Sequence, residues 1–327
     1  MTRPLHLVPD IERHGVARYA TEIAGASGCA VATVPPPEPG QLLHLHFTER
    51  IWGSAPDAAA ARVCDLARRH PLSLTLHDLP QRADGAASER QRAAAYRQVV
   101  HAARAVACNS HWETQLLAAF TVPRQPAEII PLAVGGMCAR PPRVLTPAEE
   151  PVIALLGFFY PGKGHAEAID AAGACSASLG RRVGVRGLGM VSAGHEAELR
   201  ALRRRAHRRG VSFSMTGYLS SKGLTDLARQ VDVPLAAHQH VSASGSIGSW
   251  LSAGRRPLVA DSPYAREIDA LRPGTIRRYD PSDLAGAVTR ALADPDDSWL
   301  APQTDLRPGP QETAAAYLKW WTQDVPW

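Results

Sequence analysis

Hydrophobic positions fall into short blocks of two kinds that alternate from one end of the chain to the other. Residues 5–8, 29–34, 42–47, 72–76, 104–108 and 129–130 are compact apolar or alternating runs, which is how strands read. Between them, residues 16–24, 58–69, 89–103 and 111–119 space their apolar positions as helices do. The alternation stops at residues 138–151, a polar stretch with Pro141, Pro142 and Pro147, and restarts at residues 152–156. Further strands are predicted at 183–185, 211–215, 234–237, 257–260 and 275–279. Helices are predicted at 165–178, 195–209, 224–230, 247–253 and 281–293, with a last one at 312–323 carrying Trp320 and Trp321. Strands alternating with helices imply parallel sheets, with ligand groups at the strands' carboxyl ends. The chain therefore reads as two doubly wound α/β halves with a ligand cleft between them. Their predicted extents are 1–138 and 151–309, with residues 139–150 as linker.

Composition changes this picture little. A length of 327 residues exceeds one core, in line with two domains. No apolar run is long enough for a membrane span, and the first ten residues are too weakly apolar for a signal peptide. Five cysteines, scattered and never in CxxC spacing, suit a reducing cytoplasm, so a cytoplasmic protein is expected. The net charge is +5, and much of the Arg lies between Arg181 and Arg209. That run reads as a solvated helix face, with peripheral contact to an anionic surface as the second reading. No aromatic residue interleaves with it, which argues against nucleic acid as a partner.

Candidate chemistry centres on residues 241–260. Ser244-Gly245-Ser246 is a small-residue loop followed by a helix, then Gly254, then a buried strand. Such a loop lets backbone amides approach an anion, and the helix aims its positive end at the same point. Arg255 and Arg256 are expected to balance the other end of that helix. An ordinary αβ connection has the same look, so the loop needs a partner. Gly157 to Gly164 supplies one, placing Lys163 at a helix start after a strand. The spacing matches GxxxxGK, but Gly164 stands where a phosphate-binding P-loop has Ser or Thr, and Pro161 has no N–H to offer. With Asp261 ending a hydrophobic run, a P-loop NTPase stays open as an alternative. Gly187-Leu-Gly189 is too short for a dinucleotide fingerprint. His44-x-His46 and His238-x-His240 each place two imidazoles on one strand face and lack a third metal ligand, so they read as rim or core histidines. His14, His77 and Asn109 are predicted at strand ends on one rim.

In this order the motifs resemble the GT4 type of GT-B-fold glycosyltransferases. The matching pieces are His14-Gly15 with Arg18 and Tyr19, Thr75-Leu-His77-Asp78, Asn109-Ser110 with Leu116-Leu117, and Ile129 to Leu132. They continue with Gly157 to Gly164, Thr216-Gly217-Tyr218-Leu219, Ser244-Gly245-Ser246, and Ala253 to Ala260. The resemblance implies two Rossmann-like domains facing each other across a cleft, with the terminal helix (residues 310–327) packing back onto the first. It implies a retaining transfer of sugar from a nucleotide-diphosphate sugar to a hydroxyl acceptor, with no bound metal or other cofactor. The donor would meet Gly15, Gly157, Tyr160, Lys163, Gly217, Tyr218, Leu219, Leu224, Ser244, Gly245, Ser246 and Ser249. The acceptor would meet His14, Arg18, Asp78 and Asn109. His77 and Lys163 would be catalytic, His77 at the donor sugar and Lys163 on the leaving diphosphate. The sequence departs from the family at two carboxylates, since Val241 and Ser249 stand at the glutamate positions. Phe158 replaces an arginine that often follows the glycine at 157. A binder of nucleotide sugars without catalysis is thus the second reading.

Overall fold

A computed structural model describes residues 3–11, 14–82, 85–140 and 150–327 of the chain, which divides into two compact units. The first contains strands β1 (Leu5–Leu7), β2 (Val31–Ala32), β3 (Leu43–Phe47), β4 (Leu72–Leu76), β5 (Ala105–Cys108) and β6 (Glu128–Ile129). Its helices are α1 (Gly15–Ser27), α2 (Glu49–Trp52), α3 (Pro56–Arg69), α4 (Ala86–Ala102) and α5 (His111–Ala118). All strand pairs are parallel, in the order β2-β1-β3-β4-β5-β6. The two faces of this sheet differ because its strands alternate with period two. Leu43, Leu45 and Phe47 of β3 and Leu72, Leu74 and Leu76 of β4 join an apolar core with α3 and α4. On the other face β1 places His6, β3 His44 and His46, and β4 Ser73 and Thr75, in register with one another. That polar face is nonetheless buried.

The second unit has β7 (Val152–Leu156), α6 (His165–Leu179), β8 (Gly184–Leu188), α7 (Glu196–Arg208), β9 (Phe213–Met215) and α8 (Ser221–Ala228). It continues with β10 (Val233–Ala236), α9 (Gly245–Ser252), β11 (Leu258–Ala260), α10 (Pro263–Leu271), β12 (Arg277–Tyr279) and α11 (Leu284–Ala293). The order β12-β11-β10-β7-β8-β9 is again parallel throughout. It reverses direction between β7 and β10, the topological switch point of a doubly wound sheet. Helices α6, α7 and α11 cover one face, and α8 and α9 cover the other with Trp250 between them and the sheet.

What covers the polar face of the first sheet comes from far along the chain. Helix α12 (Pro310–Lys319) continues as a wider turn through Asp324, and residues 308–327 belong to the first unit. Tyr317, Trp320 and Trp321 pack there with Ile23 of α1 and Ala105 and Ala107 of β5. The unit boundary lies earlier than the sequence places it. Residues 134–138 belong to the second unit, where the Cys138 amide donates to Ser252 O (2.8 Å). Residues 141–149 of the expected linker lie outside the described residues.

Among the described residues two α-helices were not expected, α2 and α10. The first is a single turn. The second opens on Ser262, whose Oγ accepts from the Ala265 amide (3.1 Å), with Pro263 at its first position. Three predicted strands, at 29–34, 211–215 and 275–279, are shorter in the structure by two residues or more. The Cys29 amide closes the end of α1 by bonding Ala24 O, the Val211 amide does the same for α7, and Thr275 is held in a turn by Arg272 O. β8 is longer than predicted and includes Gly187, where a Cβ would come within 2.2 Å of Met215 Sδ. Gly189 backs onto Gly157 O in the same way, so both glycines of that motif serve strand packing.

Candidate functional site

At the switch point of the second sheet, the loop after β7 and the loop after β10 are stitched together. Gly164, in a left-handed conformation with φ +96°, leaves no room for a Cβ, which would lie 2.4 Å from Ala237 O. The Gln239 amide donates to Gly162 O (3.1 Å). This close approach brings Lys163 to His238. Lys163 is buried, and its Nζ donates to His238 Nε2 (2.7 Å) and lies 3.5 Å from Ser246 Oγ and 5.6 Å from the Tyr160 ring centre. None of these groups is anionic. Burial lowers the Lys163 pKa to about 8. His238 is kept neutral by burial, then by the Lys163 charge and by His165. Its Nε2 accepts, so its proton sits on Nδ1, which has no partner among the described residues. A buried ammonium whose hydrogen-bond partners among the described residues are a neutral imidazole and a hydroxyl is poorly compensated, and an incoming anion would supply what is missing.

Helix α9 adds to this. Ser244 caps it, Oγ accepting from the Ile247 amide (3.4 Å), and lies 2.9 Å from Ser246 Oγ. The Ser244 amide donates to Tyr264 Oη (3.1 Å), so that amide is already engaged. Open space lies beside Gly245. Amides at the start of α9 and the Lys163 ammonium thus converge near Ser246, a geometry suited to phosphate oxygens. Gly157, with φ +104°, sits where a Cβ would be 3.5 Å from Lys163 Nζ. Thr216 Oγ1 accepts from the Gly189 amide (3.0 Å), linking the Gly217–Leu219 segment to the end of β8. Tyr218 is exposed, while Leu219 and Leu224 pack against the Trp250 cluster. Ser249 donates its proton to Gly245 O (2.9 Å) one turn back. His240 is exposed and, like His238, lies beyond the end of β10, so the two do not share a strand face.

Arg255 does not balance the end of α9 as expected. It is buried and donates to Ala228 O (3.0 Å) and Val231 O (2.7 Å) at the end of α8, and to Ser298 O (3.1 Å). Burial lowers its pKa to about 9. Asp261 is engaged by Arg266 (2.6 Å) and Arg278 (2.8 Å), which ties up the carboxylate an NTPase would need. Among the described residues no group of His, Cys, Asp and Glu is arranged to hold a metal ion.

In the first unit His77 follows β4 and is buried. Its Nε2 lies 3.0 Å from His46 Nδ1, and its Nδ1 lies 3.4 Å from Asn109 Nδ2. Asn109 also donates to Leu76 O (2.9 Å) and Glu113 Oε2 (3.2 Å). A proton on His77 Nε2 satisfies both of its contacts. A second chain runs from Ser73 Oγ to His44 (2.9 Å), on to Thr75 Oγ1 (3.2 Å) and to Tyr317 Oη (2.8 Å). Burial lowers the pKa of His6 and of His77 to about 3 and holds His44 and His46 well below their usual value. Four neutral imidazoles therefore line one face, next to Tyr19, Tyr317 and Trp321.

Other first-unit residues stand apart from this face. His14 is not at a strand end: it caps α1, with Nδ1 accepting from the Val16 amide (3.2 Å). Gly15 is exposed with open space beside it. Arg18 pairs loosely with Glu22 on an exposed face (3.7 Å), and its neighbour Tyr19 is the residue that meets His46 and His77. Asp78 has φ +52°, the one non-glycine residue with positive φ among the described residues. Sequence reasoning missed His238 as the lysine partner and Glu49, Arg92 and Tyr96 around Asp78. His238 was visible as a histidine after a strand, but only the β7–β10 pairing places it beside Lys163.

No family model and no curated protein sequence matches the chain. Solved structures do. Anabaena HepE in complex with UDP-glucose is 15% identical, with a TM-score of 0.68 over 96% of this chain and 95% of that one. Sucrose-phosphate synthase from Thermosynechococcus elongatus is 17% identical, with a TM-score of 0.60 over 86% of this chain and 70% of that one. OtsA in its apo form is 12% identical, with a TM-score of 0.61 over 95% and 78%. The resemblance carried by short motifs in the sequence thus holds for the fold of nearly the whole chain: two Rossmann-like units, each on a six-stranded parallel sheet, in the GT-B fold.

Proposed function

We propose that the chain is a glycosyltransferase that moves a sugar from a nucleotide-diphosphate sugar to a hydroxyl acceptor with retention of configuration. The observation that carries this reading is Lys163: a buried ammonium with no carboxylate partner among the described residues, at the switch point of the second sheet, beside the start of α9. Lys163 and the amides near Ser246 hold the donor's diphosphate and stabilise the charge that develops as it leaves. The nucleoside end lies along Gly217 to Leu219 and Leu224. HepE, a protein of the same fold, has been solved in complex with UDP-glucose, which makes UDP-glucose the first donor to test.

The first unit supplies the acceptor side. Burial keeps His77 neutral and makes it a poor proton acceptor, so it contributes hydrogen bonding and shape rather than a charge. The departing phosphate takes the acceptor proton in this scheme. Isothermal calorimetry tests the carrying observation. Lys163→Ala loses a charge-assisted contact of about 1.5–3 kcal/mol, so UDP affinity should fall about 10- to 100-fold. Unchanged affinity removes the proposed phosphate site.

One observation favours a binder without turnover. Val241 and Ser249 offer no carboxylate to ribose or sugar, and the Ser249 proton is committed to Gly245 O. UDP binding with no hydrolysis of UDP-, GDP-, TDP- or ADP-sugars would select that reading.

A further inference from the structure

Glu49, Arg92 and Tyr96 form a buried cluster beneath the end of β4 that the proposed reaction has not used. Arg92 Nε donates to Glu49 Oε1 (2.6 Å). Its Nη2 donates to Asp78 O and lies 3.1 Å from Asp78 Oδ2. Tyr96 Oη lies 2.5 Å from His77 O, 3.1 Å from Asp78 O and 3.2 Å from Glu49 Oε2. Both the His77 and the Asp78 carbonyls are therefore drawn to one cluster. Successive carbonyls of an extended strand point in opposite directions, so holding two of them on one side requires a turn. The turn is the left-handed backbone at Asp78 (φ +52°), a conformation that costs a residue with a Cβ, though Asp less than most. Its side chain is 58% exposed, so burial of Asp78 itself does not stabilise the turn. The cluster opposes the strain. Burial works against the Arg92 charge, and Tyr96, Asp78 and Glu49 more than offset it.

We propose that Arg92, Tyr96 and Glu49 are positioning residues for glycosyl transfer: they hold the His77–Asp78 turn and so fix where the His77 imidazole leaves β4. This deepens the glycosyltransferase reading and rests on it. Strain kept in a left-handed residue next to a proposed reacting group is of the kind found where function, not stability, sets the backbone. A buried ion pair with only a structural role would show in stability alone.

The readouts are kcat and KM for hydrolysis of UDP-glucose, melting temperature and UDP affinity, on the full chain. Tyr96→Phe keeps every charge and should lower kcat at least tenfold while UDP affinity, which belongs to the second unit, stays within twofold. Arg92→Lys, which keeps the charge but not the fork, should retain more activity than Arg92→Met. If Tyr96→Phe fails to fold, the comparison of Arg92→Lys with Arg92→Met decides. Wild-type kcat in both Tyr96→Phe and Arg92→Met overturns the proposal while leaving the glycosyltransferase reading intact. A wild-type protein that binds UDP but hydrolyses no donor removes that reading and the proposal with it.

Discussion

Lys163 is charged below pH 8 and loses its proton above it, since burial sets its pKa at about 8. A bound diphosphate would favour the charged form, so its affinity should be fully present below pH 8 and fall as pH rises through that value. Above pH 8 the decline should approach tenfold per pH unit. Lys163→Met should bind weakly and without that slope. Titration calorimetry across the range checks both. At this scale the sequence was partly legible. A lysine at a helix start and a Ser-Gly-Ser loop announce an anion, because the chemistry lies in local backbone form. Arg92 announces nothing, because its partner Glu49 stands 43 positions away and Asp78 gives no sign of its left-handed turn. Arg255 was read from its neighbours along the chain and belongs instead to carbonyls of another helix.

Among elements, the most exposed to perturbation is the pairing of α12 with the histidine face. His6 and His77 have native pKa values of about 3 against an ordinary 6.5. Their folded pKa is depressed, so they contribute stability that is present above pH 6.5 and lost as pH falls toward 3. Each costs about 1.4 kcal/mol per pH unit in that window, with His44 and His46 acting in the same direction. Tryptophan fluorescence at Trp320 and Trp321 should therefore report loss of packing on acidification from pH 6.5 to 4. Trp321→Ala removes a buried ring that meets His6, His44 and Tyr317 and should cost about 3–5 kcal/mol in denaturant unfolding. The alternation Leu-His-Leu-His-Phe is plain in the sequence, and it predicts a strand with unlike faces. That the histidine face is buried could not be read there, because its cover is 242 positions away from Thr75. Helix α10 was a different kind of miss. Ser262-Pro263 is a recognisable start, but nine residues with three buried positions make too short a period to stand out.

For the whole molecule, the two units each have their own sheet and core, and the proposed phosphate site belongs to one of them. Saturating UDP should therefore raise the unfolding temperature of the second unit in calorimetry, by an amount that grows with the logarithm of ligand concentration. Gly164→Ala should abolish that shift, because a Cβ there collides with Ala237 O and pushes the two loops of the site apart. The organisation into two α/β halves was legible because strand and helix periods alternate so regularly. The boundary near residue 134 was not, since Gly135 and Cys138 join the second unit through bonds to Ser252.

The route of the chain has a consequence for its manufacture. Residues 308–327 complete the first unit, yet they are translated after all of 134–307. While the second unit is being made, His6, His44, His46 and the strands that carry them lack the aromatic cover they have in the finished protein. Domains built from continuous segments can complete their fold as they leave the ribosome; this first unit can be completed only after residues 308–327 emerge, so its histidine face is the last buried surface to gain its cover.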